Sequence, residues 1–183
     1  MVNIKRIDLQ MEGVTPILMN SPRGMLEPEE GARIRTKKYD QKEEAEKVAY
    51  RNAKGKLYVP SAAVKGMLIN AASFKKAGKF ALRPLIAGSV RILDEELVLD
   101  NQKYEVDLRT VVIQRARVVK ARPKVFPWKL DVSLEFDSDM ISDPNIIMSC
   151  FEDGGRRVGI LDFRPQKLGE FGQFKINKWK VAK

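Results

Sequence analysis

The chain has 183 residues, 44% of them apolar, and a formal net charge of +10; a chain of this size buries roughly 70% of its unfolded surface, so a single domain over residues 1–183 is expected. Cys150 is the sole cysteine and there is no histidine, which excludes an intramolecular disulfide, an ordinary zinc site, and Ser-His-Asp or Cys-His catalysis. No apolar run approaches the ~18 residues of a membrane span and Met1 to Met11 lacks a signal-peptide core, so a reducing cytoplasm is the expected compartment.

Ile4, Ile7, Leu9 and Met11 alternate with charged residues and predict a first strand, ended by Gly13. From about residue 21 to 56 the composition turns polar, which reads as a partly mobile insertion; residues 43–51 are its helix-like part and Gly55 breaks it. Ser61, after Pro60, is the expected N-cap of a helix whose core face is Val64, Met67, Leu68, Ala71, Ala72 and Phe74 or Lys75 and which Gly78 ends. Residues 89–99 and 104–113 predict two strands paired around a turn at Asp100 and Asn101. Trp128, Leu130, Val132, Leu134 and Phe136 alternate strictly with Lys129, Asp131, Ser133 and Glu135, the pattern of a half-buried strand. Ser142, Asp143 and Pro144 open a second helix through Ile146, Ile147, Met148 and Phe151 to Gly154 and Gly155. Phe174, Ile176, Trp179 and Val181 supply a closing strand. The order is that of an α+β, ferredoxin-like β-α-β-β-α-β antiparallel sheet with insertions and an extended basic hairpin; both helices cover one face, and the other is left for a ligand.

The charge is segregated. Residues 109–136 hold seven bases against two acids and residues 154–183 eight against two, while the remainder, 19 bases against 20 acids, is nearly neutral. Such segregation suits phosphate contact with counterion release. Between residues 109 and 129 there are seven bases and no carboxylate, a basic hairpin or thumb. Arg115 and Arg117 share one phase of a period-2 pattern, whereas Lys120, Arg122 and Lys124 share the other, which predicts a slip of one residue near Val118 and Val119. Pro123 and Pro127 argue against a paired central strand, so a flexible arm ordered by its ligand is expected.

Residues 154–174, GGRRVGILDFRPQKLGEFGQF, contain five glycines, four basic residues and three phenylalanines. Glycine permits close backbone approach, Arg156, Arg157, Arg164 and Lys167 suit phosphate oxygens, and Phe163 or Phe171 can stack a base. Phe126 and Trp128 are further stacking candidates, although Trp128 opens an amphipathic strand, a position that favours the core. Neither a P-loop nor a GxGxxG pattern is present. The helix start in VPSAAVKG, residues 59–66, brings Lys65 to free amides and a positive dipole, a candidate phosphate site.

This segment and the later Gly-Arg-Phe loop together resemble the RAMP superfamily, the ferredoxin-like backbone and processing subunits of CRISPR ribonucleoproteins. Pro60, Ser61, Lys65, Gly66 and Leu68 match the segment that opens the family's first helix, with Ile69 where the family has arginine. Gly159, Arg164, Lys167, Gly169 and Gly172 echo its glycine-rich loop. Residues 16–20 (PILMN) and 157–165 (RVGILDFRP) extend the similarity to small RAMP-like proteins of phages and mobile elements. The resemblance implies binding of RNA or single-stranded DNA, often by protomers arrayed head to tail along the strand or with other ribonucleoprotein subunits.

The expected function is non-catalytic binding of single-stranded nucleic acid, with no cofactor and no metal. The candidate contacts are Lys65, Arg115, Arg117, Lys120, Arg122, Lys124, Arg156, Arg157, Phe163, Arg164 and Lys167. Two other classes stay open. One is a structural subunit whose basic surface meets an acidic protein; the other is a metal-dependent nuclease, for which Asp94, Glu95 and Glu96, or Asp137 and Asp139, are the nearest carboxylate groupings.

Overall fold

A computed structural model of the chain describes residues 3–25, 40–77, 80–113 and 115–182. Gly78, the expected helix stop, and much of the predicted insertion lie outside the described residues, but the helix expected to run to Gly78 already ends at Ala72 and Lys76–Ala77 is a short strand. The elements in order are β1 (Ile4–Gly13), β2 (Ile17–Leu18), α1 (Gln41–Lys47), β3 (Tyr58–Pro60), α2 (Ser61–Ala72), β4 (Lys76–Ala77), β5 (Phe80–Ala81), α3 (Leu82–Ser89), β6 (Val90–Ile92), β7 (Glu96–Val98), β8 (Glu105–Ile113), β9 (Ala116–Val125), β10 (Lys129–Asp137), α4 (Asn145–Asp153) and β11 (Phe174–Val181).

The main sheet has the order β11-β1-β10-β6, antiparallel throughout. This is the ferredoxin-like strand order, with α2 and α4 as the two crossover helices. Period-2 burial in β1 and β10 turns Ile7, Leu9, Met11, Leu130, Val132, Leu134 and Phe136 into the core. Val64, Met67, Leu68, Ile147 and Phe151 complete it from the helices. In β11 the apolar phase changes between Ile176 and Trp179, and a register shift opposite Gln10 and Met11 absorbs the extra residue, so both halves of the strand keep their apolar side on the core.

Three local expectations are corrected. Pro60, not Ser61, stands at the N-cap of α2, and no side chain caps that end. Residues 89–99 are not one strand: α3 ends at Ser89 and the segment splits into β6 and β7. Pro84 is compatible with α3 because the first-turn amides have no intrahelical acceptor anyway. Finally, β7 and β8 do not pair around Asp100 and Asn101; β7 pairs with β3, and β8 with β9. The intervening side chains serve as cross-links instead. Asp100 accepts from the Lys129 amide at 2.6 Å, Asn101 donates to the Pro127 carbonyl at 2.8 Å, and Gln102 accepts from the Leu57 amide at 2.6 Å.

Candidate nucleic-acid interface

Strands β8 and β9 form one unbroken antiparallel ladder from Glu105↔Lys124 to Ile113↔Ala116. The predicted slip is therefore absent, and the two phases of basic residues simply occupy opposite faces of the ribbon. Lys120, Arg122 and Lys124 lie across from Arg109, Asp107 and Glu105 on one face; Arg117, opposite Val112, lies on the other, and Arg115 sits in the turn with φ 69°. Pro123 is within the ladder, and β2 adds to the end of β9 at Ile17↔Val125 and Leu18↔Lys124. The basic tract is thus a paired strand, and its prolines do not prevent this because the Pro123 carbonyl still accepts, from the Met19 amide at 2.9 Å.

The glycine-rich segment folds tightly on itself. A Cβ on Gly169 would stand 1.9 Å from the Phe163 carbonyl oxygen, and one on Gly172, where φ is +72°, would stand 2.1 Å from the Ile160 oxygen. Leu161, Phe163 and Leu168 also hold positive φ, a concentration of backbone strain characteristic of ligand-binding loops. Phe163 and Phe171 meet edge to face with centroids 5.6 Å apart. The Arg109 guanidinium lies 4.4 Å and 4.7 Å from their ring centres, which docks the loop on the hairpin.

An ion pair between a buried arginine and a half-buried carboxylate makes the second link between hairpin and loop. Arg122 is 5% exposed and bonds the Asp162 carboxylate through Nη1. Its Nε has no hydrogen-bond acceptor among the described residues. The same carboxylate oxygen, Oδ2, accepts from Asn20 Nδ2 at 3.4 Å, and the Asp162 amide donates to the Leu18 carbonyl at 3.1 Å. Arg164 is held by the Leu161 carbonyl at 2.7 Å and by Gln166.

Two cavities flank Asp162. One, of about 350 Å³, is lined by Arg109, Lys120, Arg122, Phe163 and Lys167. The other, of about 310 Å³, lies against Ala62, Ala63, Gly66 and Asn70 of α2 and is also lined by Tyr50 and Arg164. Asn20 and Asp162 line both. The first cavity is cationic and the second is walled in part by small residues; sharing Asn20 and Asp162, the two adjoin as one groove.

Of the residues named from sequence, Lys120, Arg122, Phe163, Arg164 and Lys167 line this groove. Lys65 does not: its amine bonds the carbonyl oxygens of Ile86, at 2.7 Å, and of Val90, closing the end of α3, and burial pushes its pKa below the usual lysine range. Lys124 pairs with Glu105 at 2.9 Å and Arg157 with Asp153 at 3.7 Å. Arg156 and Arg157 are exposed on a π-helical turn, Gly154–Val158, and line neither cavity. Trp128 is core, its indole donating to the Thr15 carbonyl at 2.9 Å, whereas Phe126 is exposed. Asn20, Gly66, Asn70 and Asp162 join the site without having been named as contacts; all four lie in or beside motifs already visible in sequence.

On the outer face of the main sheet, the place left for a ligand by the fold pattern, several charges are paired with one another. Arg6 pairs with Asp8 at 2.9 Å, Arg91 with Glu135 at 2.9 Å, and Glu12 with both Lys129 and Lys175. Among the described residues no three His, Cys, Asp or Glu side chains form a group able to hold a metal ion, and no helix is long and apolar enough to cross a membrane.

No family model matches the sequence, and no curated protein matches it. Among solved structures, the chain is similar to one in the cryo-EM structure of the type III-B Cmr-beta bound to cognate target RNA, with a TM-score of 0.65 at 13% identity over 98% of this chain. It spans 61% of the length of that chain. A second match, in the Csm3-Csm4 subcomplex of the type III-A CRISPR-Cas interference complex, has a TM-score of 0.46 at 14% identity, over 98% of this chain and 78% of that one. The first superposition shows a shared fold, the α+β antiparallel sheet whose strand order is described above.

Proposed function

We propose that the chain is a RAMP-like, non-catalytic subunit that binds single-stranded nucleic acid, RNA in the first place, along the groove between the β8-β9 ribbon, the glycine-rich loop and α2. The observation that carries this reading is the convergence of two basic tracts, distant in sequence, on one groove: Arg109, Lys120 and Arg122 from the ribbon, Arg164 and Lys167 from the loop. Lys120 and Lys167 have no ion-pair partner among the described residues, which leaves their charge for phosphate. The small residues of α2 give a base or sugar close access. The solved chain of the same fold comes from a complex bound to its cognate target RNA, which supports the ligand class. Phosphate contacts of this kind also serve single-stranded DNA. Head-to-tail assembly along the strand, association with other ribonucleoprotein subunits, a cytoplasmic setting and a phage or mobile-element origin belong to the same reading.

Fluorescence anisotropy with a labelled single-stranded RNA tests it. The Lys120→Glu/Lys167→Glu double variant is expected to lose at least tenfold in affinity with an unchanged melting temperature, since both side chains lie outside the core. Unchanged affinity in a folded double variant would remove this groove as the binding site.

A further inference from the structure

We propose that Asp162 selects RNA over DNA by accepting a hydrogen bond from a ribose 2′-hydroxyl; this rests on the binding reading above. In every nucleotide the sugar lies between phosphate and base. The groove has the same order: a cationic cavity with Arg109, Lys120 and Lys167, then Asn20 and Asp162, then a polar cavity walled by Ala62, Ala63 and Gly66. A strand with its phosphate in the first and its base in the second passes its sugar over Asp162.

The carboxylate is built for that position. An ionised carboxylate only accepts hydrogen bonds, so it repels phosphate and can greet a nucleic acid solely through a donor. Its Oδ2 is occupied by Arg122 and Asn20, and its Oδ1 has no partner among the described residues. The backbone is fixed to Leu18 and the side chain to an arginine that is 5% exposed, so little reorganisation accompanies binding. A ribose 2′-hydroxyl at this position satisfies Oδ1. The 2′-hydroxyl is the group that distinguishes the two nucleic acids at such a site.

The test measures affinity for three strands of identical sequence: RNA, DNA and 2′-fluoro RNA, which keeps an RNA-like sugar pucker but has no 2′ donor. The wild-type chain is expected to prefer RNA by about tenfold, the scale of one hydrogen bond to a charged acceptor, with the 2′-fluoro strand binding like DNA. Asp162→Ala is expected to bring the RNA-to-DNA ratio close to one. Because that change leaves a buried arginine unpaired, the Arg122→Met/Asp162→Ala double variant is measured beside it; losing the pair together spares the fold, and the ratio is again close to one. A 2′-fluoro strand that binds like RNA, or a ratio that survives in the double variant, overturns the proposal. So does a preference that follows the base instead of the sugar. Wild-type protein that binds neither strand would refute the binding reading itself.

Discussion

Gly66 gives the sharpest separation of stability from binding. It sits inside α2, where glycine costs about 1 kcal/mol relative to alanine, and a Cβ built on it meets nothing within 4 Å. The fold therefore has no steric need for glycine here; the open space is the small-walled cavity of the groove. Gly66→Ala is expected to stabilise the chain by roughly 0.5–1 kcal/mol, or about 1–4 °C in melting temperature for a protein of this size. Gly66→Leu should retain most of that gain and project four carbons into the cavity. If the cavity receives a base, the lost contact is worth about 1–3 kcal/mol, a fall in affinity of about fivefold to over a hundredfold. Thermal melts followed by circular dichroism and anisotropy titrations with single-stranded RNA read the two effects separately. A stable Gly66→Leu protein that binds RNA like the wild type would refute the reasoning, and a destabilised Gly66→Ala would show that the space is not open.

Lys65→Met is expected to lower the melting temperature, since the Ile86 and Val90 carbonyls lose their donor, and to leave RNA affinity within about twofold, the scale of a few tenths of a kcal/mol; a large affinity loss at constant stability would restore Lys65 as a contact. Gly172→Ala should destabilise severely, because its Cβ would lie 2.1 Å from a backbone oxygen at φ +72°, and a wild-type melt would contradict the described loop. Burial pushes the Cys150 thiol up to about 11. The unfolded thiol ionises near pH 9 while the native one stays protonated, so stability falls between about pH 9 and 11, by roughly 1.4 kcal/mol per pH unit. Cys150→Ala should show a shallower alkaline loss in denaturant titrations, and equal slopes would show that the thiol is not buried as described.

Much of the fold was legible because its core strands obey strict alternation. Residues 4–11 and 128–136 announced β1 and β10, and the helix containing Val64, Met67 and Leu68 followed from its spacing. Pairing was less legible. The turn chemistry of Asp100 and Asn101 suggested a local hairpin, yet β7 and β8 each found a partner elsewhere, and the turn-forming side chains became cross-links to Lys129 and Pro127. In the basic tract, opposite phases signified opposite faces of one ribbon, a distinction that depends on knowing both strands. The groove's cations were visible as charge, while Asp162 was hidden by it: one of two acids in a basic segment gains meaning only when Arg122 is buried against it.

The salt dependence of single-stranded RNA binding tests the central claim most directly. Arg109 is held by Asp107 at 2.7 Å, so Lys120 and Lys167 are the cations of the cavity with no ion-pair partner among the described residues; if they release counterions, the logarithm of the association constant should fall against log salt with a slope of about −1.4, at about 0.7 per contact. Lys120→Gln should then reduce the slope's magnitude by about 0.7. Absent binding at low salt, or a slope that Lys120→Gln leaves unchanged, would contradict the account.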